Sequence, residues 1–99
     1  MQETFEDIIQ SPTPVLVDFH ANWCGPCKAM NPVIKELAQQ LKGKLRVIKV
    51  DIDQAEDAAR KYDIRGVPTF MLFKKGQLMW RHSGMIDKIT LLRTIEGNS

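Results

Sequence analysis

The chain reads as an α/β fold, a four-stranded mixed central sheet flanked by helices on both faces. Three features point to it. Val15 to Phe19 and Leu45 to Ile52 are near-continuous Val/Ile-rich runs, the pattern of buried strands covered on both faces. Between them Met30, Ile34, Leu37 and Leu41 recur at three- and four-residue steps, a helical period. A strand–helix–strand unit implies parallel pairing. Thr69 to Phe73 and Leu78 to His82 then flank Lys75-Gly76, a hairpin signal that adds antiparallel strands.

Each element has a local reason. Thr4 and Asp7 have capping-box spacing ahead of the stripe Phe5, Ile8 and Ile9, so a helix is expected over about 4–10. Ser11-Pro12-Thr13-Pro14 breaks it before the first strand. The long helix starts near Cys24, carries Pro32 where a kink is expected, and ends by Gly43. Asp53 with Glu56 reads as the cap of a short helix to about Tyr62, whose early acids and late Arg60 and Lys61 suit the helix dipole. Asp87 caps a last helix with Leu91, Leu92 and Ile95 on one face, and Gly97-Asn98-Ser99 should fray.

Composition narrows the function. The 99 residues make one domain, 1–99, with an ordinary hydrophobic fraction of 43%. The net charge of +2 comes from interspersed acids and bases without a Lys/Arg run, which argues against nucleic acid and anionic membrane as partners. No apolar stretch approaches the roughly 20 residues that span a bilayer. Met1 to Ile9 carries Glu3, Glu6 and Asp7 and lacks the basic and apolar regions of a signal peptide. A cytoplasmic protein is expected; the mitochondrial matrix is the alternative if a presequence has been removed.

The only two cysteines, Cys24 and Cys27, stand three apart. So close a pair closes almost no loop and adds little by constraining the unfolded chain, which points to chemistry rather than stapling. At a helix start, unpaired N–H groups and the dipole favour a thiolate at Cys24. Cys27 lies inside the first turn, where access is expected to be poorer. Position alone thus suggests that Cys24 attacks a client disulfide and Cys27 resolves the mixed disulfide. Two other readings stand beside this. A zinc site needs four ligands, and the spacing of His20 and His82 from the cysteines matches no zinc-finger pattern. A buried inert pair is the other. The C-x-x-C between a strand and a helix favours the redox reading.

Trp23-Cys24-Gly25-Pro26-Cys27-Lys28 resembles the redox centre of the thioredoxin family. The resemblance extends through Val17-Asp18-Phe19, Pro32, Lys49-Val50-Asp51, Gly66-Val67-Pro68-Thr69 and Gly84, in order and over nearly the whole chain. It implies the thioredoxin fold and a protein-disulfide reductase, an electron carrier serving cell redox homeostasis. It also implies disulfide-containing clients and a separate thioredoxin reductase as electron donor. No Gly-rich dinucleotide fingerprint is present, so no bound nicotinamide is expected; no other cofactor and no metal are expected either.

The same resemblance assigns residues. Asp18 matches the buried carboxylate below the cysteines that helps move the second thiol's proton, and desolvation within its apolar run should raise its pKa. Lys49 matches a lysine near that carboxylate. Pro68 matches a cis-proline facing the cysteines, and the backbone of Val67 pairs with the client as an added strand would. Trp23, Gly25, Pro26, Gly66 and Gly84 complete a flat apolar docking surface. In the family Gly-Pro between the cysteines goes with reductases. An oxidase or isomerase, or a binding module that docks without catalysis, are the rival functions.

Two departures stand out. His20 takes the place of a Trp found in many bacterial thioredoxins, and a modulating role is one expectation for it. Met1-Gln2-Glu3 is too short for the strand that usually precedes the first helix, so the strand at 45–52 becomes an edge. A monomer is expected, with a weak dimer through this edge as the variant.

Overall fold

A computed structural model describes residues 3–98. The expectations placed on Met1, Gln2 and Ser99 lie outside the described residues. The element order is α1 (Phe5–Ile9), β1 (Val15–His20), α2 (Gly25–Gln40), β2 (Arg46–Asp51), α3 (Glu56–Lys61), β3 (Thr69–Lys74), β4 (Gln77–Ser83) and α4 (Lys88–Gly97). Among the described residues the sheet has four strands in the order β2-β1-β3-β4. β1 pairs with β2 in parallel and with β3 antiparallel, and β3 pairs antiparallel with β4.

Strand alternation divides the core in two. Val15, Val17 and Phe19 join Met71 and Phe73 under α1 and α3, where Ile9, Phe5 and Tyr62 close the layer. Leu16 joins Phe70 and Leu72 under α2 and α4, against Met30, Ile34, Leu37, Leu91 and Ile95. The same alternation turns Asp18 and His20 toward the α2 and α4 side. Both faces of β1 are therefore covered, which explains its uninterrupted apolar run.

Local signals succeed where the chain makes its own contacts. Thr4 and Asp7 form the reciprocal capping box of α1, and the Asp87 side chain accepts from the Thr90 N–H at α4. Four expectations need correction. β2 is half-exposed rather than buried, because it has only β1 as a described neighbour. Asp53 does not cap α3: Ala55 holds that position without a side-chain bond, and Asp53 accepts instead from Trp23 Nε1 at 3.0 Å. α2 ends at Gln40 with Leu41 as its C-cap, and Gly43, at φ +84, sits in the following turn. α4 continues through Gly97, and the Asn98 side chain donates to the Thr94 carbonyl at 2.8 Å, which ties down a segment expected to fray.

Candidate active site

β1 delivers the chain to the start of α2. Ala21 is buried behind it, and its carbonyl accepts the Cys24 N–H at 3.2 Å. Cys24 is extended, at φ −89 and ψ 109, and is the N-cap of α2; its Sγ accepts the Cys27 N–H at 3.1 Å. Sulfur here does what a serine or aspartate oxygen does at other caps, sitting over the positive end of the helix. Pro26 falls in the first turn, where its missing N–H needs no partner. Cys24 and Cys27 are disulfide-bonded with Cα atoms 5.3 Å apart, inside the span of roughly 4.4–6.8 Å that such bridges require.

The expected difference in access does not show in exposure: Cys24 is 3% and Cys27 5% exposed. The two sulfurs differ by their place on the helix instead, one capping it and one within its first turn. Ile52 and Val67 pack against the pair. The Val67–Pro68 peptide bond is cis and Pro68 is buried. Thr69 Oγ1 donates to the Gly66 carbonyl at 2.7 Å, which fixes the turn that carries Val67 to the cysteines.

Beside the disulfide the chain is open to solvent at several positions. Trp23 is 70% exposed, so its ring lies on the surface and not in the core. Gly25, Pro26 and Gly66 are exposed and Gly84 is half-buried. The Gly84 N–H donates to the Pro68 carbonyl at 2.8 Å, and its φ is +97. A Cβ there meets nothing within 4 Å, so only backbone strain opposes a side chain. Gly84→Ala is therefore expected to cost about 1–2 kcal/mol. A lowered denaturant midpoint at unchanged slope is the readout, and an unshifted midpoint counts against it.

Asp18 is 2% exposed. Its Oδ1 has no hydrogen-bond partner among the described residues. Burial pushes its carboxyl above the ordinary range, while Lys49 and then His20 partly oppose that rise. Lys49 stands opposite Asp18 in the β1–β2 register, and its Nζ donates to Asn31 Oδ1 on α2. His20, Asn22, Cys27, Lys28, Asn31 and Lys49 line a cleft of about 170 Å³. A larger cavity of about 550 Å³ lies by Pro12, Pro14, Leu41 and Ile95, at the opposite end of β1 and α2 from the disulfide. No three His, Cys, Asp or Glu side chains come together as a metal site among the described residues.

Sequence reasoning missed Asp53 and Asn31 as partners of Trp23 and Lys49. Asp53 carried a helix-cap signal, and nothing in the sequence tied it to a tryptophan thirty residues earlier. Asn31 carried no signal at all.

The family model for thioredoxin matches residues 1–97. This chain belongs to the thioredoxin family. It is 49% identical over 87 residues to thioredoxin 1 of Chlorobaculum tepidum, covering 87% of this chain and 86% of that one. It is 46% identical over 91 residues to thioredoxin 1 of a Nostoc species, covering 92% and 85%. Among solved structures, a mutant thioredoxin from Halobacterium salinarum superposes with a TM-score of 0.87 at 38% identity, covering 94% of this chain and 80% of that one. The thioredoxin fold expected from the sequence is thus the observed one. The chain is a thiol–disulfide oxidoreductase, and the Cys24–Cys27 pair is the redox-active centre of its dithiol–disulfide exchange.

Proposed function

We propose that this thioredoxin-family protein works in the reducing direction on disulfides of client proteins and is itself re-reduced by thioredoxin reductase. The observation that carries the direction is the pair of residues between the cysteines. Neither Gly25 nor Pro26 can hold a charge that would stabilise a Cys24 thiolate, so the reduced form gains nothing from them and remains a good electron donor.

The chemistry runs through named atoms. Cys24 Sγ, as thiolate, attacks a client sulfur; the client S–S bond breaks and a mixed disulfide forms. Asp18 takes the proton of Cys27, whose Sγ attacks Cys24. The Cys24–client bond breaks, the Cys24–Cys27 bond forms, and the client leaves with both electrons and, after protonation, both thiols. Lys49, opposite Asp18, favours the ionised base. The exposed Trp23 with Gly25, Pro26, Gly66, Pro68 and Gly84 forms the docking wall, and the Val67 backbone pairs with the client as an added strand. No helix among the described residues is long and apolar enough to cross a membrane. The working compartment is a reducing one, the cytosol, with the mitochondrial matrix as the alternative. The protein acts as a monomer, and the outer edge of β2 is where a weak dimer would pair.

The reduction potential of the Cys24–Cys27 pair tests the direction. It is expected more negative than about −200 mV; thioredoxins are themselves the reference case at the reducing end of this scale. A value in the range of isomerases or oxidases, above about −180 mV, reverses the assignment.

A further inference from the structure

We propose that Arg81 is a positioning residue for client docking, holding from β4 the segment that presents the Val67 backbone. The inference deepens the proposed function and rests on the pairing role given there to Val67. That segment, 62–68, runs from the end of α3 to the start of β3 and is neither helix nor strand. Val67 packs against the cysteine pair, and its N–H and carbonyl have no backbone partner among the described residues. An extended client can bond both, at least entropic cost if the segment already stands in place.

β4 holds this segment at both ends. At the end next to β3, the Gly84 N–H donates to the Pro68 carbonyl at 2.8 Å, and Ser83 Oγ lies 3.0 Å from Thr69 Oγ1. At the end next to α3, the tie is Arg81. It stands opposite Met71 in the β3–β4 register, and Met71 belongs to the core under α1 and α3. Strand alternation therefore sends the Arg81 side chain toward α3. There Nη1 donates to the Tyr62 carbonyl, and Nη2 donates to the Asp63 carbonyl at 2.7 Å. A helix leaves its last carbonyls without partners, and its dipole favours a cation at that end. One flat guanidinium spans two successive carbonyls, which the single nitrogen of a lysine does not. The same bonds hold Asp63 at φ +52, a left-handed conformation that a residue other than glycine adopts only at a cost. Packing of Tyr62 and Ile64 in the core sets how deep this end of the segment lies. The guanidinium adds directional bonds from the sheet, which set how the main chain turns towards Gly66 and Val67. Arg81 touches neither client nor sulfur in this scheme.

The test is single-turnover oxidation of the reduced protein by rising concentrations of two substrates, a disulfide-bonded protein and a small aromatic disulfide that needs no strand pairing. In Arg81→Ala the half-saturating concentration of the protein substrate is expected about fivefold higher at a near-parent limiting rate. With the small disulfide the change should stay below about twofold. Arg81→Lys keeps the charge but has one nitrogen for two carbonyls, so it should recover only part of the loss; it also carries the comparison if Arg81→Ala does not fold. A purely structural role lowers the unfolding midpoint without separating the two substrates, and that result overturns the inference. So does parent-like half-saturation in both variants, or full recovery in Arg81→Lys, which would make charge alone sufficient. Val67→Pro, which deletes the N–H offered to the client, separates the two levels. Parent-like half-saturation there removes the pairing role of Val67 and the inference with it, whereas a weakened Val67→Pro beside parent-like Arg81 variants removes the role of Arg81 alone.

Discussion

Cys24→Ser is expected to lower the reduction of protein disulfides by about 10³-fold or more, because a hydroxyl at neutral pH is not a usable nucleophile toward sulfur. Cys27→Ser should fail differently. Cys24 in that variant still caps α2 and still attacks, but nothing resolves the product, so a covalent Cys24–client species should accumulate and be visible by mass on non-reducing separation. The asymmetry follows from the helix: the Cys24 sulfur accepts the Cys27 N–H at 3.1 Å and sits at the positive end of the dipole, whereas Cys27 lies within the first turn. Equal burial of the two cysteines makes the experiment discriminating, since exposure does not choose between them. Trapping by Cys24→Ser instead of Cys27→Ser exchanges the roles. Neither variant should lose much stability, because the bridge closes almost no chain.

Asp18→Asn should slow resolution of the mixed disulfide by about 10²-fold while making the protein more stable at neutral pH. The two effects have one cause. Burial raises the Asp18 carboxyl in the folded chain above its unfolded value. The native state therefore prefers the protonated form. That contribution is fully present in acid, below the unfolded carboxyl value, and is lost as pH rises through the folded one. At neutral pH the ionised carboxylate is a net cost, opposed in part by Lys49 and His20. Asparagine has the same shape and no charge, so its advantage should be near zero in acid and grow with pH to about 1–3 kcal/mol at neutrality. Urea unfolding of both chains at acid and neutral pH measures it. A gain that does not vary with pH has another origin.

Much of the site was legible because its signals are local. A C-x-x-C at the junction of a strand and a helix needs no distant residue to mean what it does, and Asp18 inside Val15 to Phe19 can hardly avoid burial. The resemblance to the thioredoxin family extended this to Pro68 and Gly84. Where the reading failed, a long-range partner had intervened, or a capping side chain had held an end in place. Asp53 carries a cap signal three residues before Glu56, yet its side chain holds Trp23. Asn98 reads as a frayed end, yet it bonds Thr94. Lys49 matched a family position, but its hold on Asn31 across β2 and α2 had no trace in the sequence.

Spacing, propensity and the helix dipole, each acting within a few residues, were enough to set the order of elements, the two-sided burial of β1 and the placing of two thiols at a helix start. The pairing of β1 with β3, which joins the two predicted strand pairs into one sheet, was settled only by the folded structure, and so was the register that places Lys49 opposite Asp18. The same holds for the closing of Val67 over the disulfide and for the cleft that His20 shares with Cys27. Those facts depend on register and packing between segments far apart in the chain, where the energy comes from surfaces that meet only after folding.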